Sequence, residues 1–185
     1  MILPMYIFGQ PVLRKQAEDI TPDYPELKEL IKNMFETMKK AEGVGLAAPQ
    51  VGLPIRVVVI DLDVISDDMP EYKGFLRAYI NPHIIEYGEE TCSMEEGCLS
   101  VPGVHESVKR PCKVHVKYLD EDMNEHDEWA EGFLARVMQH EFDHLEGKLF
   151  VDHLSPLRKQ MIKSKLAAMM KGKENCSYKT KPNRR

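Results

Sequence analysis

No stretch of this chain reaches the roughly 18–20 consecutive apolar residues that a membrane-spanning helix requires. The opening Met1-Ile2-Leu3-Pro4-Met5 has neither the basic start nor the apolar run of a signal peptide. The chain holds only four cysteines, Cys92, Cys98, Cys112 and Cys176, and without an export signal they are expected as reduced thiols of a cytoplasmic protein. There is no net positive charge: the formal charge of −5 argues against general nucleic-acid binding. Internal repeats, low-complexity blocks and an obvious linker are also missing. What is present is 185 residues, 43% apolar and 30% charged, enough for one soluble domain with a real core. The charge is unevenly placed. Lys171 to Arg185 contains six Lys or Arg against the single acid Glu174, a local +5 that leaves −10 for the rest. Residues 1–170 are therefore expected as a single catalytic domain and 171–185 as a basic, disordered tail able to meet an anionic partner.

The periodicities alternate between helix and strand. Asp23-Tyr24-Pro25-Glu26 carries an N-cap acid, an early proline and a Glu three residues on. Leu27, Leu30, Ile31, Met34, Phe35, Met38 and Ala41 then recur at helical spacing, and Gly43 is placed to end the helix. Ile55–Ile60 is almost continuously β-branched and reads as a strand buried on both faces. A second strand region runs from Ala78 to Tyr87, interrupted at Asn81-Pro82. Lys113–Leu119 alternates polar with apolar, and after a turn a short strand through Trp129 pairs back. Ser155-Pro156 opens a last helix. Helices set among hairpins, without regular βαβ alternation, predict an α+β fold.

The stretch that carries chemistry is His140-Glu141-Phe142-Asp143-His144, an H-E-x-x-H pattern on a helix expected from about Glu131 to Leu145 and stopped at Gly147. Residues four apart share a helix face, so both imidazoles can converge on one ion, with Glu141 beside it as a base for metal-assisted hydrolysis. Phe133, Val137, His140, Glu141 and His144 form one stripe, which should face inward. Ionisable groups on such a stripe need a compensating partner, and a metal ion supplies one.

A hydrolytic site of this kind needs a third protein ligand and an open position. In the metzincin pattern that ligand is a downstream histidine, but here the position is Phe150. The only later glutamate is Glu174, in the basic tail, so the third ligand is expected upstream. Cys98, in Glu96-Gly97-Cys98-Leu99-Ser100-Val101-Pro102, is favoured, because its thiolate suits a first-row divalent metal. A lone cysteine otherwise reads as a small buried hydrophobe. Two rivals stand beside this reading. A metal-dependent endopeptidase shares H-E-x-x-H. A structural-zinc module would need a fourth ligand from among His105, His115, His126 and His153.

Gly43-Val44-Gly45-Leu46-Ala47-Ala48-Pro49-Gln50 is weak alone, and it lacks the ending of a phosphate loop. Taken in order with E-G-C-L-S and Q-H-E-F-D-H-L-E-G, it resembles the peptide deformylases, over roughly residues 5–165. The resemblance implies antiparallel sheets around a central helix carrying H-E-x-x-H, with a C-terminal helix. It also implies removal of the N-formyl group from the initiator methionine of nascent polypeptides, with release of formate. It makes Cys98, His140 and His144 the metal ligands and Glu141 the acid/base. Gln50 and the Leu99 N–H become donors to the developing oxyanion. Gly45 would hydrogen-bond the substrate backbone, while Val44, Phe133 and Val137 would line the methionine pocket. The ion implied is typically Fe(II), with Zn, Ni or Co able to replace it. One position departs from the pattern of common bacterial members: His105 stands where an arginine is usual, which bears on the hold over the second and third substrate residues. A weak ribosome contact is the partner expected for the basic tail.

Overall fold

The structure is a computed structural model and describes residues 1–182. In chain order it runs β1 (Met5–Tyr6), α1 (Leu27–Lys40), β2 (Gly45–Ala47), β3 (Val57–Asp61), β4 (Leu76–Tyr87), β5 (Thr91–Cys98), β6 (Val101–Pro111), β7 (Lys113–Leu119), β8 (Glu125–Glu131), α2 (Gly132–Leu145), α3 (Pro156–Met170) and β9 (Thr180–Lys181), with short 3-10 turns between. This is the expected α+β arrangement. Strands β2-β3-β4-β7-β8 form one antiparallel sheet, β5 and β6 pair as a separate long hairpin, and β1 pairs with β9 in parallel.

Strand β3 divides two cores. Its side chains alternate between faces, and all five of its residues are buried. Val58 and Ile60 pack with Val137, Met138, Phe142 and Leu145 of α2 and with Tyr79, Val114 and Val116 of the sheet. Val57 and Val59 face the other way, onto Leu27, Ile31, Met34 and Met38 of α1. The same cluster takes in Val101, Val104 and Val108 of β6 and Ile162 of α3. Helix α2 is thus enclosed by its surroundings, and every residue from Ala135 to Phe142 is buried. The Asn81-Pro82 interruption is a local one: Asn81 takes φ +50°, the register shifts between Ile80 and His83, and β4 continues to Tyr87.

Two expectations are corrected. Helix α1 starts at Leu27, behind a left-handed Glu26 and without a side-chain cap, because Asp23 accepts instead from the Thr21 hydroxyl. Cys98 ends β5 at the tip of the β5–β6 hairpin, with Leu99 and Ser100 in its turn. The described part of the tail does not run free. The Met5 N–H donates to the Lys179 carbonyl (2.9 Å) and the Ile7 N–H to that of Lys181 (3.2 Å). The tail's side chains alternate, with Cys176, Tyr178 and Thr180 partly buried and Lys179 and Lys181 exposed. Asn183, Arg184 and Arg185, the remainder of the expected tail, lie outside the described residues.

Candidate active site

Helix α2 and the hairpin tip supply the chemistry. His140 and His144 lie one turn apart on α2, with ring centroids 5.3 Å apart. Cys98 reaches them from the end of β5, and its Sγ lies 3.4 Å from His144 Nε2. The donor atoms of Cys98, His140 and His144 all lie within 4.8 Å of one another. Metal–ligand bonds of about 2.0–2.3 Å at tetrahedral angles place ligand atoms about 3.5 Å apart, so the three are close enough to share a divalent ion. The donor set fits as well, since a thiolate with two imidazoles suits a first-row metal. Among the described residues no fourth His, Cys, Asp or Glu joins the group. His153 pairs with Asp143, His126 with Asp120 and His115 with Asp127, which removes three of the four candidates for a closed structural-zinc site. His105 instead lies against Gly97, where an added Cβ would sit 2.6 Å from its ring.

Protonation preferences point the same way. Burial and the neighbouring His140 push the His144 imidazole down to about 3, so it is neutral, as a ligand must be. Burial opposes a proton on His140, yet hydrogen bonds to Cys98 and Glu96 and the nearby Glu141 outweigh it and hold that proton well above the usual range. A site that favours a proton so strongly is also one that favours a cation. Burial raises the Glu141 carboxyl to about 7, against the pull of His140. Its Oε2 is buried without a partner.

Gly45 belongs to this arrangement. A Cβ there would lie 2.8 Å from Glu141 Oε1, so only glycine lets β2 pass beside that carboxylate. Gln50 is buried in the turn after β2, its Oε1 accepting from the Ala47 N–H at 2.9 Å. Its Nε2 donates to Ser100 Oγ at 3.2 Å and faces Cys98 Sγ at 3.5 Å. Gly45, Cys98, Leu99, His140 and Glu141 all border an open cleft of about 480 Å³. Behind it lies a smaller cavity of about 110 Å³, whose walls include Val44, Phe133 and Val137 together with His140 and Glu141. A roughly 150 Å³ cavity holds a benzene-sized guest, so this one suits a single unbranched side chain.

The family model described as polypeptide deformylase matches residues 2–160. The chain belongs to the polypeptide deformylase family. A peptide deformylase of Christiangramia forsetii is 51% identical to it over 99% of this chain and 97% of its own length. One of Flavobacterium johnsoniae is 50% identical over 98% and 96%. The crystal structure of a peptide deformylase from Legionella pneumophila superposes with a TM-score of 0.79 at 42% identity, covering 90% of this chain and 94% of that one. Such extended likeness leaves no support for the endopeptidase alternative. Phe150, which occupies the place of the metzincin histidine, is a core residue stacked on the His140 ring with centroids 5.8 Å apart.

Of the ten candidate residues, Val44, Gly45, Cys98, Leu99, His140 and Glu141 border the cleft, Phe133 and Val137 line the smaller cavity, and Gln50 and His144 stand beside Cys98 Sγ; the buried ionic cluster behind them has no counterpart in the sequence reading. Glu96 Oε1 takes the His140 Nδ1–H at 2.8 Å, which fixes the tautomer and leaves Nε2 to face the other ligands. Arg110 Nε and Arg136 Nη1 both donate to Glu96 Oε2, at 2.6 and 2.7 Å. Arg110 also reaches Asp143, the fourth residue of H-E-x-x-H, at 2.9 Å. Burial would raise the Glu96 carboxyl, but hydrogen bonds from His140 and Arg110 hold it well below the carboxylate range. A signal was available. A ligating histidine needs an acceptor for its other nitrogen, and Glu96 stands two residues before Cys98.

Proposed function

We propose that this chain removes the formyl group from N-formylmethionyl peptides of nascent polypeptides, releasing formate, with Cys98, His140 and His144 holding one divalent metal ion. The observation that carries the reading is the convergence of these three donors and Glu141 on one cleft with a small apolar cavity behind it. When bound, the ion supplies a water of lowered pKa and polarises a carbonyl. Glu141 Oε2 accepts the water proton and returns it to the leaving amine; a carboxyl held near neutrality by burial is matched to both tasks. Gln50 Nε2 and the Leu99 N–H donate to the formyl oxygen as it gains charge. The Gly45 backbone pairs with the peptide, and Val44, Phe133 and Val137 enclose the methionine side chain. We take Fe(II) as the native ion, as the family resemblance implies, with Zn, Ni or Co as substitutes, because metal availability as well as affinity decides what a thiolate–imidazole site holds.

The catalytic domain in this reading has residues 1–170 as its body, with the C-terminal segment folded back against it through β9. The compartment is the cytoplasm, where nascent formylated chains arise; no described helix is long and apolar enough to cross a membrane. The exposed Lys173, Lys179 and Lys181 lie on the outward side of the C-terminal segment and support a weak, salt-dependent contact with ribosomal RNA. Deleting residues 173–185 should weaken ribosome co-sedimentation at low salt, and unchanged binding refutes the contact.

The test is anaerobic purification, followed by metal content and formate release from formyl-Met-Ala-Ser measured on the same sample. One metal per chain with formate release is expected. Glu141→Ala should keep the metal and lose nearly all turnover. A variant retaining more than about a tenth of the rate overturns the base assignment, since removing a general base typically costs about 10²–10⁴-fold.

A further inference from the structure

The segment after α3 has a place in the cleft that its composition does not announce. It leaves α3 through Gly172, in the left-handed region at φ +72°, and returns to the body as β9, paired with β1. Between these anchors, Asn175, Cys176, Ser177 and Tyr178 border the same cleft as Cys98 and Glu141. Two contacts brace the strap. Thr180 Oγ1 donates to Glu174 Oε1 at 2.8 Å, and Gln10 Nε2 donates to the Pro182 carbonyl at 2.9 Å. Tyr178, like Leu99, packs against the core cluster, and its hydroxyl donates to the Leu99 carbonyl at 2.5 Å.

The hydrogen bond falls at a sensitive point. Leu99 and Ser100 form the tip of the β5–β6 hairpin, directly after the ligand Cys98. A hairpin tip is ordinarily free to rock, because its backbone has few partners. This one is held from both sides. The Phe8 N–H, just past β1, donates to the Ser100 carbonyl at 2.8 Å, and Tyr178 holds the neighbouring Leu99 carbonyl. The Leu99 N–H and carbonyl belong to peptide units that meet at one Cα. Fixing the carbonyl therefore restricts the two dihedrals that aim the N–H.

We propose that the C-terminal strap is part of the active site, with Tyr178 positioning the Leu99 peptide unit and residues 175–177 forming the wall against which the substrate lies beyond its formylated residue. The inference rests on the deformylase reading of the cleft. Tyr178 touches no reacting atom in this scheme; it is a positioning residue, acting through Leu99. The strap borders the same cleft as His105.

The experiment compares wild type, Tyr178→Phe, and a chain ending at Gly172, each checked for metal content and thermal stability. Formate release is followed from formyl-Met amide and from formyl-Met-Ala-Ser. Tyr178→Phe keeps the ring and removes one hydrogen bond. It should lower kcat about three- to tenfold on both substrates, at wild-type metal content and with the KM for the amide unchanged. The truncated chain should show the same loss of kcat and, in addition, a KM for the tripeptide raised more than that for the amide. A kcat for Tyr178→Phe within about twofold of wild type overturns the positioning role. So does a rate loss that merely tracks loss of metal. Equal changes in the two KM values on truncation overturn the wall. If metal-loaded wild type releases no formate from either substrate, the deformylase reading has failed instead.

Discussion

Replacing Glu96 by glutamine tests whether the ionic cluster behind Cys98, His140 and His144, the proposed metal ligands, sets their chemistry. The carboxylate accepts four hydrogen bonds: His140 Nδ1 at 2.8 Å and Arg110 Nη2 at 3.0 Å on Oε1, then Arg110 Nε at 2.6 Å and Arg136 Nη1 at 2.7 Å on Oε2. A glutamine of the same shape has one acceptor oxygen and one NH2 group, so one side of the cluster must meet donors with donors. Suppose the amide oxygen faces the two guanidinium groups on the Oε2 side. The NH2 then faces His140 Nδ1, which can only accept, and the imidazole proton moves to Nε2, the atom the metal needs. Suppose instead that the oxygen faces His140. The NH2 then points at Arg110 and Arg136, both 4% exposed, and their charges lose a partner.

Either orientation has a measurable cost. Loss of the group that orients a ligating histidine typically weakens metal affinity about 10–100-fold, or about 1.4–2.7 kcal/mol. Breaking a buried ion pair from one side costs about 3–5 kcal/mol. The lower end applies here, because Arg110 keeps Asp143 and Arg136 keeps the carbonyls of Val108 and Cys92. The assay is metal affinity by competition with a chromophoric chelator, together with urea unfolding of the metal-free protein. Glu96→Gln should fail one of the two measurements by these amounts. Metal affinity within about twofold of wild type, together with apo stability within about 0.5 kcal/mol, the range of an ordinary surface substitution, refutes the reasoning.

Cys98→Ala should lose both metal and formate release, because a two-histidine site without the thiolate has only two protein ligands left; full metal occupancy by elemental analysis counts against the ligand set. Gly45→Ala should fold and bind metal but lose at least about tenfold in kcat/KM, since the new methyl group displaces Glu141 from 2.8 Å; a wild-type rate shows that the carboxylate does not need its place beside β2.

How much was legible in the sequence depended on whether a signal was local. The stripe Phe133, Val137, His140, Glu141 and His144 could be read because a helix repeats every 3.6 residues, and α2 does present those side chains inward. Strand β3 was equally plain, since five consecutive buried residues leave the same pattern in any sheet. The β5–β6 hairpin was not. It carries charges at its solvent positions, its partners are up to twenty residues apart, and its register breaks between Gly97 and Cys98. No short window contains that information. Glu96 was missed for a related reason. Its four donors come from β6 and α2, so its value is set by tertiary contact, although it stands inside a motif already singled out. The strap failed differently: its signal was local but was outweighed by a count of charges. Cys176, Tyr178 and Thr180 alternate with Ser177, Lys179 and Lys181, a period-two pattern that reads as an edge strand with lysines outward. Net charge describes the outward face alone. The inward face, one tyrosine among small residues, decides where the segment goes, and it goes to the backbone next to Cys98.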